Sequence, residues 1–198
     1  IKLKKIKEAK EYTKSNPGSI KADEIEYSPL IPNPGKIICV GLNYSEHVKE
    51  TNRTVEENPV IFHRFPESQT AHMQAIQRPT VSDSLDFEGE MAVIMGEGGK
   101  HIKPENALKH IVGFSCYNES TVREWQRHTR QFGMGKNFEK TGSFGPHMVL
   151  AEDIQDYKSL TIETRLNGEV MQNAKLSQLI FDIPILISYV SKAMAWRA

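Results

Sequence analysis

The sequence has only two cysteines, no excess of either charge and no long uninterrupted hydrophobic run. Cys39 and Cys116 lie far apart in apolar contexts, which favours free thiols in a reducing compartment over a disulfide framework. With 25 basic and 25 acidic residues, no overall field is expected to draw the chain to nucleic acid or to an anionic membrane. The longest apolar stretch, residues 179–190, contains Asp182 and Pro184 and is shorter than the ~20 residues that span a bilayer. We therefore expect a cytoplasmic protein whose partner is a small molecule, with no nucleic-acid and no membrane partner.

The first part of the chain is predicted to lead into a single domain. Residues 1–16 are rich in lysine and predict a short surface helix, which Asn16-Pro17-Gly18 ends. The prolines of residues 27–36 then favour an extended path. Because the 198 residues show no repeat and no break in composition, we expect a lead-in over residues 1–33 and one catalytic domain over residues 34–198.

Hydrophobic patterning predicts short strands and a few short helices in this domain. Strands are predicted over residues 37–40, 59–65, 84–96, 112–120 and 143–150. Helices are predicted over residues 45–53, 105–111 and 183–194, and residues 121–132 are predicted to be a polar helix or loop. Within residues 160–172 the dipeptide Asn167-Gly168 is suited to a type I′ turn, which predicts a hairpin.

Two glutamates in the predicted strand over residues 84–96 could bind a cation together. Glu88 and Glu90 are two residues apart, so their side chains would share one face of a strand. Such a pair also occurs on solvated strand faces, which is the alternative interpretation. The apolar neighbours Phe87 and residues 91–95 favour a half-buried strand, where two like charges need a counter-ion.

A third carboxylate, Glu119, follows the apolar run 111–118 at a polar turn. With Glu88 and Glu90 it would complete an all-oxygen site suited to Mg²⁺, Mn²⁺ or Ca²⁺. Zinc is disfavoured, because no His or Cys lies at ligand spacing near these residues.

Further polar residues are candidates for catalysis and substrate binding. His47 and Glu50 are three residues apart, so on a helix Glu50 could orient the imidazole for use as a general base; an ordinary surface pair is the alternative. Lys136, between glycines and aromatics, could pair with a substrate carboxylate or enolate oxygen. Arg123 and Gln126 follow Glu119 and could line the same pocket, although such side chains are usually solvated.

Taken in order, these segments resemble the fumarylacetoacetate hydrolase family. The resemblance runs collinearly over residues roughly 34 to 194, and its matching stretches are 39-CVGLNYSEHVKE-50, 59-PVIFHR-64, 85-LDFEGEMAVIMG-96, 113-GFSCYNES-120 with 123-REWQ-126, 136-KNFEKTGSFGPHMV-149 and 166-LNGEVMQ-172. It implies a mixed α+β fold built around a rolled β-sandwich, usually dimeric, with Mg²⁺ or Mn²⁺ bound near a 2-oxo acid. Residue by residue, it implies metal ligands at Glu88, Glu90 and Glu119, a catalytic His47–Glu50 dyad, an active-site Lys136, and substrate-binding residues at Arg64, Arg123 and Gln126.

The sequence departs from the family pattern in a few places. Glu119 stands where aspartate is usual, and Arg64 stands where lysine is more usual. The longer side chain of Glu119 must shift the carboxylate or the cation by about 1 Å, which is large for a metal site. Residues 195–198 match nothing in the family, which continues into a Gly-Asp turn and a Thr-Gly-Thr-Pro motif, so the resemblance implies that the C-terminal part of the family domain is missing.

The resemblance leaves several functions open. The first is metal-dependent hydrolysis of a C–C bond in a β-diketo or acylpyruvate-type 2-oxo acid, in which the cation and Lys136 stabilise an enolate and His47 deprotonates water. Decarboxylases, isomerases or hydratases of 2-oxo and hydroxy-dienoic diacids from aromatic catabolism could use the same site. A hypothesis of a different class is that the protein is an inactive, shortened paralogue that serves as a binding or dimerisation module.

Overall fold

The computed structural model describes residues 3–18, 20–45 and 56–197. Eleven strands are found among these residues: β1 Ile37–Gly41, β2 Val60–Arg64, β3 Gln69–Ala71, β4 Leu85–Asp86, β5 Gly89–Met95, β6 Ile111–Glu119, β7 Thr121–Val122, β8 Gly142–Phe144, β9 Val149–Leu150, β10 Thr161–Leu166 and β11 Glu169–Lys175. The α-helices described are α1 Leu3–Ser15, α2 Pro104–Ala107, α3 Arg123–Gln126, α4 Gly133–Lys136 and α5 Ile183–Ala193. Short 3₁₀ turns lie at Ala22–Glu24, Pro66–Ser68, Leu108–His110, Ala151–Asp153, Tyr157–Ser159 and Leu176–Gln178.

The longest strand, β6, organises the main sheet. It pairs antiparallel with β5 on one side and with β8 and β9 on the other, and β3 pairs parallel with β8. The described residues also form three two-stranded antiparallel sheets, made by β1 with β2, β4 with β7, and β10 with β11. This mixture of sheets with few, short helices confirms the predicted α+β class.

Apolar side chains of β5 divide between two core clusters, because successive strand residues point to opposite faces. Met91, Val93 and Met95 pack with a cluster that includes Ile183 and Ile187 of α5. Ala92 and Ile94 belong with the second cluster, where Ile6 of α1 and Leu30 cover the sheet. The lead-in helix therefore packs against the domain, and its Lys10 also pairs with Asp153 at 2.8 Å.

Several predicted elements are confirmed. The strands over residues 37–40 and 112–120 are β1 and β6, the lead-in helix is α1, and the helix over residues 183–194 is α5, which Asp182 caps by accepting a hydrogen bond from the Ile185 N–H. The predicted hairpin is β10–β11, and Asn167 and Gly168 both have positive φ, as a type I′ turn requires. The helix predicted over residues 105–111 is shorter, since it becomes a 3₁₀ turn at Leu108. No helix among the described residues is long and apolar enough to cross a bilayer.

Two predicted strands are wrong in their continuity, and one of them, over residues 143–150, forms β8 and β9 with residues 145–148 between them. Residues 84–96 form two strands, β4 and β5, separated at Phe87 and Glu88. The chain changes sheets at this point, because β4 pairs with β7 whereas β5 pairs with β6. Glu88 therefore lies in the break, and strand alternation does not set the direction of its side chain.

Candidate active site

The register between β5 and β6 brings two of the three predicted metal ligands together. Glu90 is the cross-strand partner of Tyr117, and Glu119 lies two residues further along β6. Residues two apart share a face of a strand, so Glu90, Tyr117 and Glu119 lie on one face of the sheet. Glu88 is tied to the same strand end by its backbone, since the Glu119 N–H donates to the Glu88 carbonyl at 2.7 Å.

The Lys136 ammonium lies among these carboxylates. It is the last residue of α4 and only 1% exposed, and its Nζ contacts the Glu88 carboxylate. The same Nζ is 3.4 Å from Glu119 Oε1 and 3.4 Å from the Glu119 carbonyl. The Phe62 ring completes its surroundings, with its centroid 5.2 Å away. A buried charge of this kind is stable only because it is paired with acids.

Arg123, another basic residue of the predicted site, is held by two acids, Asp86 and Glu88. Its Nε donates to Asp86 at 2.7 Å, and its Nη1 donates to Glu88 at 2.7 Å and to Gln126 at 3.0 Å. Arg123 thus orients the Glu88 carboxylate, and Gln126 accepts a hydrogen bond from Arg123. Their contact with a substrate stays a prediction.

Arg64 lies behind Glu119. Its side chain is fully buried and donates to Ser68, to the Ser120 carbonyl and to Thr141 at 3.2, 3.0 and 2.7 Å. Its Nη1 is 3.8 Å from Glu119 Oε1. In this arrangement Arg64 supports the end of β6, and its predicted role in substrate binding stays a prediction.

A cavity of about 620 Å³ opens beside the acidic cluster, between β1, β5 and α5. Glu90, Glu119 and Tyr44 contribute polar groups to its lining, while most of its wall is apolar and includes Val93 and Ile187. Lys136, Arg64, Arg123 and Gln126 are not among its lining residues. Of the three predicted ligands, Glu90 and Glu119 line the cavity and Glu88 does not.

Burial and mutual repulsion shift the pKa values of the acids. Burial, followed by the charges of Glu119 and Glu88, raises the pKa of Glu90 to about 8, although Lys136 opposes the shift. Burial also raises the pKa of Glu119, against the effect of Lys136. The pKa of the buried Cys39 thiol is raised by burial and then by Glu119, so the thiol stays protonated.

The residues fit a hard divalent cation in their chemistry. Oxygen-only donors suit Mg²⁺, Mn²⁺ or Ca²⁺, and the buried Glu119 Oε1 has no hydrogen-bond partner among the described residues. After burial, repulsion from Glu119 and Glu88 contributes to the raised pKa of Glu90, and the positive charge of Lys136 offsets it only in part. In the part of the chain that is described, no group of three His, Cys, Asp or Glu side chains is arranged to hold a metal, so these carboxylate side chains would have to reorient to bind one. The ligand set stays a prediction.

The raised pKa of Glu90 predicts how stability changes with pH in the absence of metal. Because the folded pKa is about 8 and the ordinary value is 4.5, the folded state holds this proton more tightly than the unfolded chain does. The stabilisation is complete below the unfolded pKa and is lost as pH rises to about 8. Thermal unfolding in EDTA should therefore occur at lower temperature at pH 9 than at pH 6, and the Glu90→Gln variant should show a smaller difference. Equal pH dependence in both proteins would contradict this assignment.

His47 and Glu50, the predicted catalytic dyad, lie outside the described residues, as does most of the helix predicted over residues 45–53. The structure also brings in residues that sequence reasoning did not find, such as Asp86 beside Arg123 and Tyr117 beside Glu90. Asp86 stands within the quoted 85–96 stretch, but only the pairing of β4 with β7 shows that it meets Arg123.

Comparison with known proteins identifies a family and similar sequences. Residues 36–198 match the family described as fumarylacetoacetate (FAA) hydrolase, C-terminal. The chain is 37% identical to the oxaloacetate tautomerase YisK of Bacillus subtilis over 179 residues, which are 88% of this chain and 60% of that protein.

Two solved structures extend the comparison. A fumarylacetoacetate hydrolase from Exiguobacterium antarcticum is 35% identical with a TM-score of 0.76, over 83% of this chain and 60% of that one. A 5-carboxymethyl-2-hydroxymuconate delta-isomerase from Mycobacterium smegmatis is 28% identical with a TM-score of 0.75, over 85% of this chain and 63% of that one. The chain thus spans less than two thirds of each of these three relatives.

Members of this family generally use divalent metal ions, and they include hydrolases, isomerases and tautomerases. The match covers most of the chain and includes the strands that carry Glu90 and Glu119 and the helix that carries Lys136. The chain belongs to the fumarylacetoacetate hydrolase family of enzymes.

Proposed function

We propose that this protein catalyses divalent-cation-dependent keto–enol chemistry on a 2-oxo acid, with tautomerisation of an oxaloacetate-type diacid as the first candidate reaction. The observation that carries the proposal is the buried Lys136 ammonium held between Glu88 and Glu119 next to the protonatable Glu90. The 37% identity to a curated oxaloacetate tautomerase favours this reaction over the C–C hydrolysis first expected from the sequence.

Tautomerisation moves one proton between an enol oxygen and the adjacent carbon, and it breaks no C–C bond. The site must therefore stabilise negative charge on the 2-oxo oxygen while a general base and acid transfer the proton. A cation held by Glu88, Glu90 and Glu119 would polarise that oxygen. Lys136 adds a fixed positive charge next to the same carboxylates.

Three ion pairs keep this arrangement in place without a substrate. Arg123 joins Asp86 to one oxygen of Glu88, while Lys136 contacts the other oxygen. Proton transfer is assigned to His47, oriented by Glu50, on the strength of the sequence resemblance. In the tautomerase His47 would exchange a proton with the carbon of the substrate, whereas in a hydrolase it would take a proton from water.

C–C hydrolysis of a β-diketo or acylpyruvate-type acid is the second candidate, because a solved relative with 35% identity is named a fumarylacetoacetate hydrolase. In that reaction water adds to the distal carbonyl, the C–C bond breaks, and the enolate that leaves takes up a proton. Both candidates need the same stabilised enolate, and only hydrolysis consumes water.

The proposal is tested by incubating the protein with several substrates and monitoring each reaction by proton NMR. Oxaloacetate enol, an acylpyruvate and a hydroxy-dienedioate would each be incubated with protein plus Mg²⁺ and with protein plus EDTA. We expect accelerated enol–keto conversion of oxaloacetate that needs Mg²⁺, with the acylpyruvate left intact. Cleavage of the acylpyruvate into two acids without an effect on oxaloacetate would overturn the tautomerase assignment, and no reaction with any substrate would support an inactive binding module.

Shortening the unusual ligand tests the proposed metal site. Glu119→Asp restores the residue that is usual in the family, so we expect tighter Mn²⁺ binding by calorimetry. Weaker binding would mean that the site is built around the longer side chain. Glu105→Asp, at an exposed position of α2, is the control and should leave Mn²⁺ affinity unchanged.

On the same basis we propose that the protein prefers Mg²⁺ or Mn²⁺, binds a small 2-oxo acid and forms a homodimer. Light scattering coupled to size-exclusion chromatography measures the mass in solution, and twice the 22.5 kDa of the chain is the expected value.

A further inference from the structure

We propose that Gln172, on the β10–β11 hairpin, is a positioning residue that holds the segment Glu88-Gly89-Glu90 in the shape that binds the cation. The expected effect of Gln172 on cation binding rests on the proposed function, whereas its effect on the shape of the segment rests on the hairpin contacts alone. Gln172 is outside the predicted site and 83 residues away from Gly89 in sequence. It therefore adds a distant element to the site.

The hairpin meets the site at the residue between two predicted ligands. The Gly89 N–H donates to Gln172 Oε1 at 2.8 Å. Thr164, the cross-strand partner of Gln172, packs against the same glycine. A Cβ on Gly89 would collide with Thr164 Oγ1 and would lie 3.2 Å from both Thr164 Cβ and Gln172 Oε1. Glycine is required here because the hairpin approaches the backbone so closely.

Side-chain contacts, and not sheet pairing, hold the hairpin to this part of the protein. In the described residues, β10 and β11 pair only with each other. In the second half of β11 the exposure alternates: Gln172 is half-buried and faces Gly89, whereas Asn173 is exposed and donates to Glu163 at 3.4 Å. The two neighbouring residues thus differ in role, which provides a matched control.

The segment is held from two sides. The Glu88 N–H donates to Asn118 Oδ1 of β6 at 3.0 Å, and the Gly89 N–H donates to Gln172 of β11 at 2.8 Å. Without the acceptor on Gln172, a half-buried N–H would lose its partner and the backbone between the two carboxylates would be held only from β6. Metal sites tolerate little displacement of their ligands, so outer contacts of this kind affect affinity.

Mn²⁺ titration calorimetry on three variants of the full chain tests the inference. Gln172→Met keeps the length of the side chain and removes the acceptor, so Mn²⁺ affinity should fall by roughly 10- to 100-fold. Gln172→Glu keeps an acceptor and should bind Mn²⁺ more tightly than Gln172→Met does. Asn173→Ala, on the opposite face of the strand, should match the wild type. Equal affinity of Gln172→Met and wild type would overturn the proposal.

Hydrogen exchange in EDTA gives a readout that does not need the metal. Peptides that cover residues 86–92 should exchange faster in Gln172→Met than in wild type or Asn173→Ala, while peptides from α5 should be unchanged. Equal exchange of residues 86–92 would overturn the positioning role even if Mn²⁺ affinity changed. If the wild type bound no Mn²⁺, the proposed function would fail, and the exchange rates alone would still decide whether Gln172 positions the segment.

Discussion

Lys136→Met is expected to lower kcat/KM for enol–keto conversion of oxaloacetate by roughly 10²- to 10³-fold, the usual effect of removing one group that stabilises transition-state charge. The substitution keeps the length of the side chain and removes the ammonium that contacts Glu88 and Glu119. Negative charge that develops on the substrate would then be repelled more strongly by Glu88, Glu90 and Glu119, because the positive charge of Lys136 no longer offsets theirs. Initial rates at saturating Mg²⁺ measure the effect.

The control for this change is Lys100→Met, which removes a lysine from an exposed position and should leave the rate unchanged. Thermal unfolding of both variants separates loss of catalysis from loss of structure, because Lys136 is buried with its acids and Lys100 is not. A folded Lys136→Met protein that keeps its full rate would remove Lys136 from the proposed mechanism.

Glu90→Gln is expected to weaken Mn²⁺ binding by at least the 10- to 100-fold that changes to outer contacts of metal sites cost, because it removes a proposed ligand itself. The amide has the same shape as the acid, so packing in the cavity wall is retained. The variant also lacks the group whose pKa is about 8. The gain in wild-type affinity between pH 6 and pH 8, which follows from loss of that proton on binding, should therefore be smaller in the variant.

Calorimetry at pH 6 and pH 8 measures both effects. Glu105→Gln, on the exposed side of α2, is the matched control and should bind Mn²⁺ as the wild type does. Wild-type affinity in the Glu90→Gln variant would show that the cation, if bound, does not use this carboxylate.

Local sequence patterns were sufficient to predict a secondary-structure element where its structure depends mainly on its own residues. The apolar runs of β1 and β6, the Asn167-Gly168 turn and the Asp182 cap of α5 each specify their structure locally. The break at Phe87 and Glu88 was not predictable in this way, because it depends on which strands β4 and β5 pair with.

The same distinction applies to the candidate site. Family resemblance placed Glu88, Glu119 and Lys136 in one site, and the structure brings them into contact. It did not indicate that Lys136 would be almost fully buried among the carboxylates. The contact of Gln172 with Gly89 was not predictable either, because it joins a hairpin to a segment 83 residues away. Such long-range contacts follow from tertiary packing and have no local pattern.

The most direct test of a cation-dependent site for 2-oxo acids is the initial rate of oxaloacetate enol–keto conversion, followed by the loss of enol absorbance. The rate would be measured in Mg²⁺, after addition of EDTA, and after Mg²⁺ is restored. We predict that the protein-dependent rate disappears with EDTA and returns with Mg²⁺. A protein-dependent rate that is unchanged by EDTA would contradict a role for a cation bound at Glu88, Glu90 and Glu119.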